Sequence, residues 1–383
     1  MADPINNPAT HGDDTEIVEE SNRSILLDLI SQLTKGSDLH RVTLPTFVLE
    51  SRSMLERITD FMSHPEIIVQ ANHLEDPVAR FVAVTRYFLS GWHIRPKGVK
   101  KPYNPILGEH FRSKWTFADG TEAFYVAEQV SHHPPISAYY YASPENNISI
   151  LGDLLPKSKF QGNSAATLMQ GEINVSFTNR PGEEYFITMP NVYARGILFG
   201  TMLMELGDVA AVKCPKLDLV CTLDFKVKGY FTGTYNGIAG KIKRISTGEV
   251  LYEISGKWSE ELYISEKGEK QIYFDAKTAK IHPKIIAPED QQEENESRRL
   301  WSKLTTALRV NNQTLATEEK SKVEDAQRAR SKARDEKGVP HIPRFFEPQG
   351  DSFAIKLKNI SSDPQVAKKQ ISDFIFTTPV PSS

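Results

Sequence analysis

The sequence predicts a β-dominated α+β fold: a large antiparallel barrel or sandwich with helices before and after it. Three observations carry this prediction. Glycine-punctuated segments of period-two alternation repeat from about Phe111 to Asp275, a pattern of antiparallel strands rather than of a parallel α/β sheet. Capping and proline signals mark helices between residues 51 and 91. Leucine spacing and a long charged run mark further helices between about 286 and 338.

The elements follow in order. Residues 1–23 read as an acidic tail without fixed structure, with six acidic side chains and no Lys or Arg in the first 20. A secretory signal needs a basic start and an apolar core, so this is not one. Ser24 to Lys35 reads as a helix with Ser24 as N-cap and Gly36 as its stop. Leu26, Ile30 and Leu33 share one face of it, and its place after the tail suits a mobile lid. Ser53-Met54-Leu55-Glu56 is a capping-box pattern, opening a helix that ends near Ser63, before Pro65. Asp76-Pro77 supplies an N-cap and a proline at the first helical position, and Gly91 closes that helix.

In the β region, Leu217, Leu219, Cys221, Leu223 and Phe225 alternate with more polar neighbours. Lys241 to Ile245 and Val250 to Ile254 are joined by Ser246-Thr247-Gly248-Glu249, a hairpin signal. Helix returns after Pro288, with Leu300, Leu304 and Leu308 beside Trp301. A charged helix spans about Thr317 to Lys337 and stops at Gly338. Residues 346–383 show no clear period and read as a C-terminal tail.

Composition narrows the function. The 383 residues are 39% hydrophobic and 25% charged, with a formal net charge of -3. That balance gives no global basic field for nucleic acid or for an anionic membrane. Any membrane contact is therefore local and transient. The longest apolar run, around Gly196 to Met204, is about half the length of a membrane-spanning helix. Cys214 and Cys221 form no zinc set with nearby histidines. Cys221 falls in line with Leu219 and Leu223, as a buried thiol would. So few cysteines fit the reducing cytosol.

The sharpest segment is Glu128-Gln129-Val130-Ser131-His132-His133-Pro134-Pro135. Pro134 restricts His133 to an extended conformation, and Pro135 does the same to Pro134. The reading is a rigid arm presenting two imidazoles, both able to donate hydrogen bonds to an anion. Adjacent side chains on an extended arm point to opposite sides, and no third ligand has metal-site spacing, so no metal is expected. There is no G-x-S-x-G elbow, no H-E-x-x-H, no Walker loop and no dinucleotide fingerprint. The chain reads as a non-enzyme without a cofactor.

E-Q-V-S-H-H-P-P resembles the signature of the oxysterol-binding-protein-related family. Lys101-Pro102-Tyr103-Asn104-Pro105-Ile106-Leu107-Gly108-Glu109 is similar to the family's K-P-x-N-P-x-L-G-E segment, with Tyr103 where leucine is commoner. Lys320, Glu324 and Arg328 match its helical K-x-x-x-E-x-x-x-R pattern. Taken alone, that stretch is a mixed run of seven basic and six acidic side chains over 318–337, a solvated face. Within the family, the segments Thr43–Glu50, Pro156–Phe160 and Asn191–Gly200 look like the fungal branch that exchanges phosphatidylserine for phosphatidylinositol 4-phosphate.

The resemblance implies a near-closed β-barrel around a lipid tunnel, with a lid over 24–50 and a ligand-binding domain over 51–345. It implies that His132 and His133 grip the 4-phosphate. Lys101, Lys320 and Arg328 add positive charge, and Glu324 orients Arg328 or accepts an inositol hydroxyl. It further implies that Leu44 packs on the lipid beneath the lid, and that Lys101, Asn104 and Ser158 hold a serine headgroup. The expected protein is a cytoplasmic monomer, peripheral at contacts between endoplasmic reticulum and plasma membrane. The rivals are a sterol-carrying exchanger and a lipid-responsive sensor or scaffold.

Overall fold

The structure, a computed structural model, describes residues 35–37, 45–95, 98–197, 202–229 and 233–377. The expected acidic tail, most of the expected lid helix and Leu44 lie outside these residues.

The chain enters through Thr46–Val48, a single 3-10 turn, into strand β1 (Leu49–Ser53). Ser53 caps the next helix, α1 (Met54–Arg57), by accepting from Leu55 N, and a 3-10 turn carries it to Met62. The box is half formed, because the Glu56 carboxylate turns instead to Arg298. A helix absent from the sequence reading follows, α2 (Pro65–Asn72). Pro65, read there as a stop, sits at its first turn, where a missing N–H costs nothing. In α3 (Pro77–Ser90), Asp76 accepts from Val78 N and Ala79 N, and Gly91 is the C-cap, as expected.

Strand β2 (Lys101–Tyr103) pairs in parallel with β1. The main sheet then runs as β3 (His110–Thr116), β4 (Glu122–His132), β5 (Pro135–Ser143), β6 (Ile148–Phe160) and β7 (Ser164–Gln170). It continues through β8 (Ile173–Phe177), β9 (Glu184–Ile187), β10 (Asn191–Arg195), β11 (Leu203–Cys214) and β12 (Leu219–Lys226). β13 (Gly237–Arg244), β14 (Val250–Lys257), β15 (Glu261–Glu266) and β16 (Glu269–Asp275) complete it. These fourteen strands form one sheet with β3 and β16 at its ends, β8 and β9 bracing β6 and β11 from the side. Beside the free edge of β3 runs the segment 285–296, with Ile285 and Lys114 exchanging backbone bonds at 2.7 and 3.0 Å. The sheet forms a near-closed barrel, and this segment covers the edge of β3. Cys214 and Cys221 are buried free thiols, and burial pushes both thiols up.

Beyond the barrel lie α4 (Ser297–Leu300), α5 (Ser302–Arg309) and α6 (Gln313–Lys337). Asn312 caps α6, whose first residue lies four before the expected start, and Gly338 ends it at φ +64°. The expected C-terminal tail is instead folded. β17 (Phe346–Gln349) and β18 (Ser352–Ile355) form a hairpin, and α7 (Pro364–Thr377) follows. Phe345, Phe346, Ile371 and Ile375 bury against Phe124, Val126 and Tyr140 on the outer face of β4 and β5. That face is apolar on both sides, so something had to cover it.

Candidate lipid-binding cavity

The barrel encloses a cavity of about 270 Å³. Its floor and walls are apolar, with Ile58, Phe61, Trp92, Met189, Val192 and Leu206 among them. Of the seven methionines in the chain, Met54, Met169, Met189, Met202 and Met204 line it. Unbranched thioethers adapt to irregular apolar shapes, which suits a chamber for flexible chains. Nothing in the linear spacing of these methionines announces their convergence. No metal-ligating cluster occurs among the described residues, and no described helix is long and apolar enough to cross a membrane.

Polar and charged side chains also reach the lining, among them Glu50, Arg57, Asp60, Arg95 and Lys100. Lys101, Asn104 and Ser158, the three residues implied for the serine headgroup, are all among the cavity's lining residues. Their positions come from different elements. Lys101 and Asn104 ride on β2 and the loop after it, and Ser158 lies on β6, where its hydroxyl meets Thr167 Oγ1 at 2.8 Å.

The Lys101–Glu109 loop is pinned from below. Glu109 is fully buried and its carboxylate gathers four donors: Ser53 Oγ at 2.5 Å, Ser297 Oγ at 2.7 Å, Trp301 Nε1 at 3.0 Å and Ile106 N at 3.0 Å. Burial raises its pKa, and these donors hold the rise back. Next to it Glu56, equally buried, meets Arg298 at 2.7 Å and Lys284 at 3.4 Å. Burial opposes its ionisation, yet the two cations outweigh burial and hold it at about 2. Tyr103 and Ile106 pack with Trp301, Leu304 and Ala316, which docks α6 against the same loop.

His132 and His133 stand at the tip of the β4–β5 hairpin, outside the cavity wall. Here the sequence reading needs correction. The pair is not on an extended arm: His132 pairs with Pro135, the His133–Pro134 peptide is cis, and the chain reverses there. The two rings do not point apart but lie side by side, with centroids 4.5 Å apart. A bulge just before them, between Gln129 and Ser131, re-aims the end of β4. Their neighbours Gln129, Pro135 and Ser137 do line the cavity, and Ser137 Oγ donates to Gln129 Oε1 at 2.6 Å. The pair is therefore at its rim.

Glu128, the first residue of the motif, faces outward. Its carboxylate accepts from Arg344 N at 2.7 Å and Phe345 N at 2.8 Å, tying the C-terminal hairpin to the barrel. Burial pushes its pKa up to about 7 against the pull of those two N–H groups.

Lys320, Glu324 and Arg328 fall on one stripe of α6, as their spacing required. Lys320 Nζ lies 3.2 Å from Glu324, and Arg328 Nη2 lies 3.7 Å from it. Arg328 also pairs with Asp325 and is two-thirds exposed (67%). Val323, on the same stretch, packs against the cluster that holds Tyr103 and Ile106. The helix thus flanks the Lys101–Glu109 loop, while its three charged residues stand outside the cavity wall.

Comparison with known proteins agrees with this architecture. Residues 28–308 match the family profile described as Oxysterol-binding protein. Oxysterol-binding protein homolog 6 of Saccharomyces cerevisiae is 44% identical over 381 residues, covering 96% of this chain and 84% of that one. Homolog 7 of the same yeast is 45% identical over 371 residues, covering 94% and 84%. Among solved structures, the Osh1 ORD domain in complex with cholesterol superposes with a TM-score of 0.76 at 22% identity, covering 97% of this chain and 92% of that one. The Osh3 ORD in complex with PI(4)P gives 0.67 at 20%, covering 91% and 93%. With a near-closed barrel, the two motif segments at one cavity rim and relatives of this identity, the chain belongs to the oxysterol-binding protein family.

Proposed function

We propose that the protein transfers lipids between membranes without vesicles, taking up phosphatidylserine and exchanging it for phosphatidylinositol 4-phosphate. The observation that carries this reading is that Lys101, Asn104 and Ser158 all line one largely apolar cavity. A sterol offers one hydroxyl and no charge of its own to such a polar set, although phosphatidylinositol 4-phosphate would use Lys101 in either exchanger. A phospholipid brings a phosphate that a buried-edge ammonium attracts. The solved relatives hold PI(4)P in one case and cholesterol in another, so the sterol exchanger is the reading to be tested against.

The energetics fit a carrier. At about 0.8 kcal/mol per methylene, exposing two long acyl chains to water costs on the order of 20 kcal/mol. An apolar chamber removes most of that barrier, and both lipids compete for it. No bond is made or broken, so direction comes from a phosphatidylinositol 4-phosphate gradient maintained elsewhere. Leu44 would pack on the acyl chains. His132 and His133, with Lys320 and Arg328, would receive the 4-phosphate, and Glu324 would hold Arg328. The carrier would work as a cytoplasmic monomer touching anionic membranes transiently, at contacts between endoplasmic reticulum and plasma membrane.

The two headgroups share Lys101 in this scheme, but only the 4-phosphate calls on the histidine pair, which gives the test. Replacing both His132 and His133 by alanine removes charge-assisted donors worth about 1.5–3 kcal/mol each. Phosphatidylinositol 4-phosphate extraction should fall at least tenfold, while phosphatidylserine extraction falls less. Equal loss of both lipids from a folded variant would mean that the pair shapes the cavity rim and selects no phosphate.

A further inference from the structure

A serine headgroup carries two anionic groups and one cation. Lys101, Asn104 and Ser158 can meet the phosphate and the carboxylate, but none of them is an anion for the ammonium. An ammonium taken out of water without an opposite charge is heavily penalised. The described cavity wall holds two carboxylates, Glu50 and Asp60.

Asp60 is committed. Its two oxygens accept from the two Nη atoms of Arg52 at 2.8 and 3.0 Å. Glu50 shares the same arginine through Oε1, which accepts from Nε. Its Oε2, in contrast, is buried and accepts no hydrogen bond. Arg57 Nη1 stands 3.5 Å from that oxygen and 3.2 Å from Asp60 Oδ2. Arg57 therefore keeps an anion even when Glu50 gains another cation. The ion pair with Arg57 leaves that buried oxygen short of a hydrogen bond, so it can still take a donor. In a ligand chamber, the ligand can supply one.

Position agrees with this. Val48 and Glu50 line the cavity, while Leu49 between them packs with the Trp301 cluster, the alternation of a strand. β1 pairs with β2 so that Leu49 stands opposite Lys101. A cation for phosphate and an anion for ammonium thus line the cavity from adjacent strands. We propose that Glu50 receives the ammonium of an amine-bearing phospholipid headgroup and so sets the preference for phosphatidylserine. This rests on the phosphatidylserine reading above and adds the residue that would read its amine.

The test compares two lipids and two proteins. Vesicles carrying phosphatidylserine or its N-acetylated form, which has lost the ammonium, are offered to the full chain, and bound lipid is quantified by mass spectrometry. Wild type should favour phosphatidylserine about ten- to a hundredfold, the range of one charge-assisted contact. Glu50→Gln keeps the Oε1 acceptor for Arg52 and the side-chain volume. It should bring the ratio close to one by lowering phosphatidylserine uptake, with phosphatidylinositol 4-phosphate extraction retained. A steric effect of the acetyl group would instead persist in Glu50→Gln, and an unchanged ratio in that variant overturns the proposal. If Glu50→Gln does not fold, Glu50→Asp, which withdraws the charge, takes its place, and an unchanged ratio there overturns it equally. Wild type that takes up both lipids alike refutes the Glu50 assignment alone. Wild type that takes up no phosphatidylserine refutes the exchange reading before Glu50 is in question.

Discussion

Glu109 should be the residue on which the loop bearing Lys101 and Asn104 depends most. Replacing it by alanine removes an acceptor from four donors at once. Ser297 Oγ has a second acceptor within reach, His110 O at 3.2 Å. Ser53 Oγ, Trp301 Nε1 and Ile106 N are left as buried donors, each worth about 1–3 kcal/mol when unsatisfied. Removing a carboxylate whose ionisation burial already opposes returns part of that. The expected net cost is about 3–5 kcal/mol, large for one substitution. Glu109→Gln keeps one acceptor oxygen but turns an amide toward donors, and should cost about half as much. Urea unfolding followed by tryptophan fluorescence at neutral pH measures both. Because Ile106 and Trp301 fix the loop bearing Lys101 and Asn104, lipid uptake by the folded alanine variant should also fall. A cost under about 1 kcal/mol with normal uptake would refute the view that this carboxylate organises the loop.

Two further outcomes follow from the C-terminal contacts. The pKa of Glu128 is raised from 4.5 to about 7 in the folded protein, so the folded state holds its proton more tightly. Its contribution to stability is full below pH 4.5 and is lost as pH rises through about 7, a swing of about 3 kcal/mol. Urea titrations across that range should show wild type losing this much relative to Glu128→Gln; parallel curves would contradict it. Ile371 is 2% exposed and packed in the cluster that covers β4 and β5. Ile371→Ala should cost about 2–5 kcal/mol in the same assay, whereas a residue of a loose tail would cost nothing measurable.

The barrel was legible because its strands alternate strongly and its turns carry glycine and asparagine. The hairpin around Thr247 and the alternation through Cys221 appear where the pattern put them. Helix ends at Asp76, Gly91 and Gly338 were legible for the same local reason. What failed was decided by contacts distant in sequence. α7 buries Ala367, Ile371 and Ile375, four residues apart but too sparse to stand out among polar neighbours. Its ionic anchor, Lys368 with Glu122 and Glu145, spans more than 200 residues and has no local signature. The histidine pair was read from proline sterics alone, which say nothing of a bulge and a chain reversal set by β-pairing. Among residues of the quoted segments, Lys101 and Asn104 were singled out through a motif, while Glu50 and Glu109 take their importance from partners in other elements. α2 was missed because Pro65 was taken as an end rather than a beginning.

The central claim is that one cavity exchanges two phospholipids. It is tested most directly with two vesicle populations, one holding phosphatidylserine and the other phosphatidylinositol 4-phosphate, both lipids followed at once with protein far below lipid. The account predicts many turnovers per protein, equal counter-transport of the two lipids, and little phosphatidylserine movement when the acceptor lacks phosphatidylinositol 4-phosphate. Transfer that saturates at one lipid per protein, or sterol moved in preference to phosphatidylserine, would contradict it.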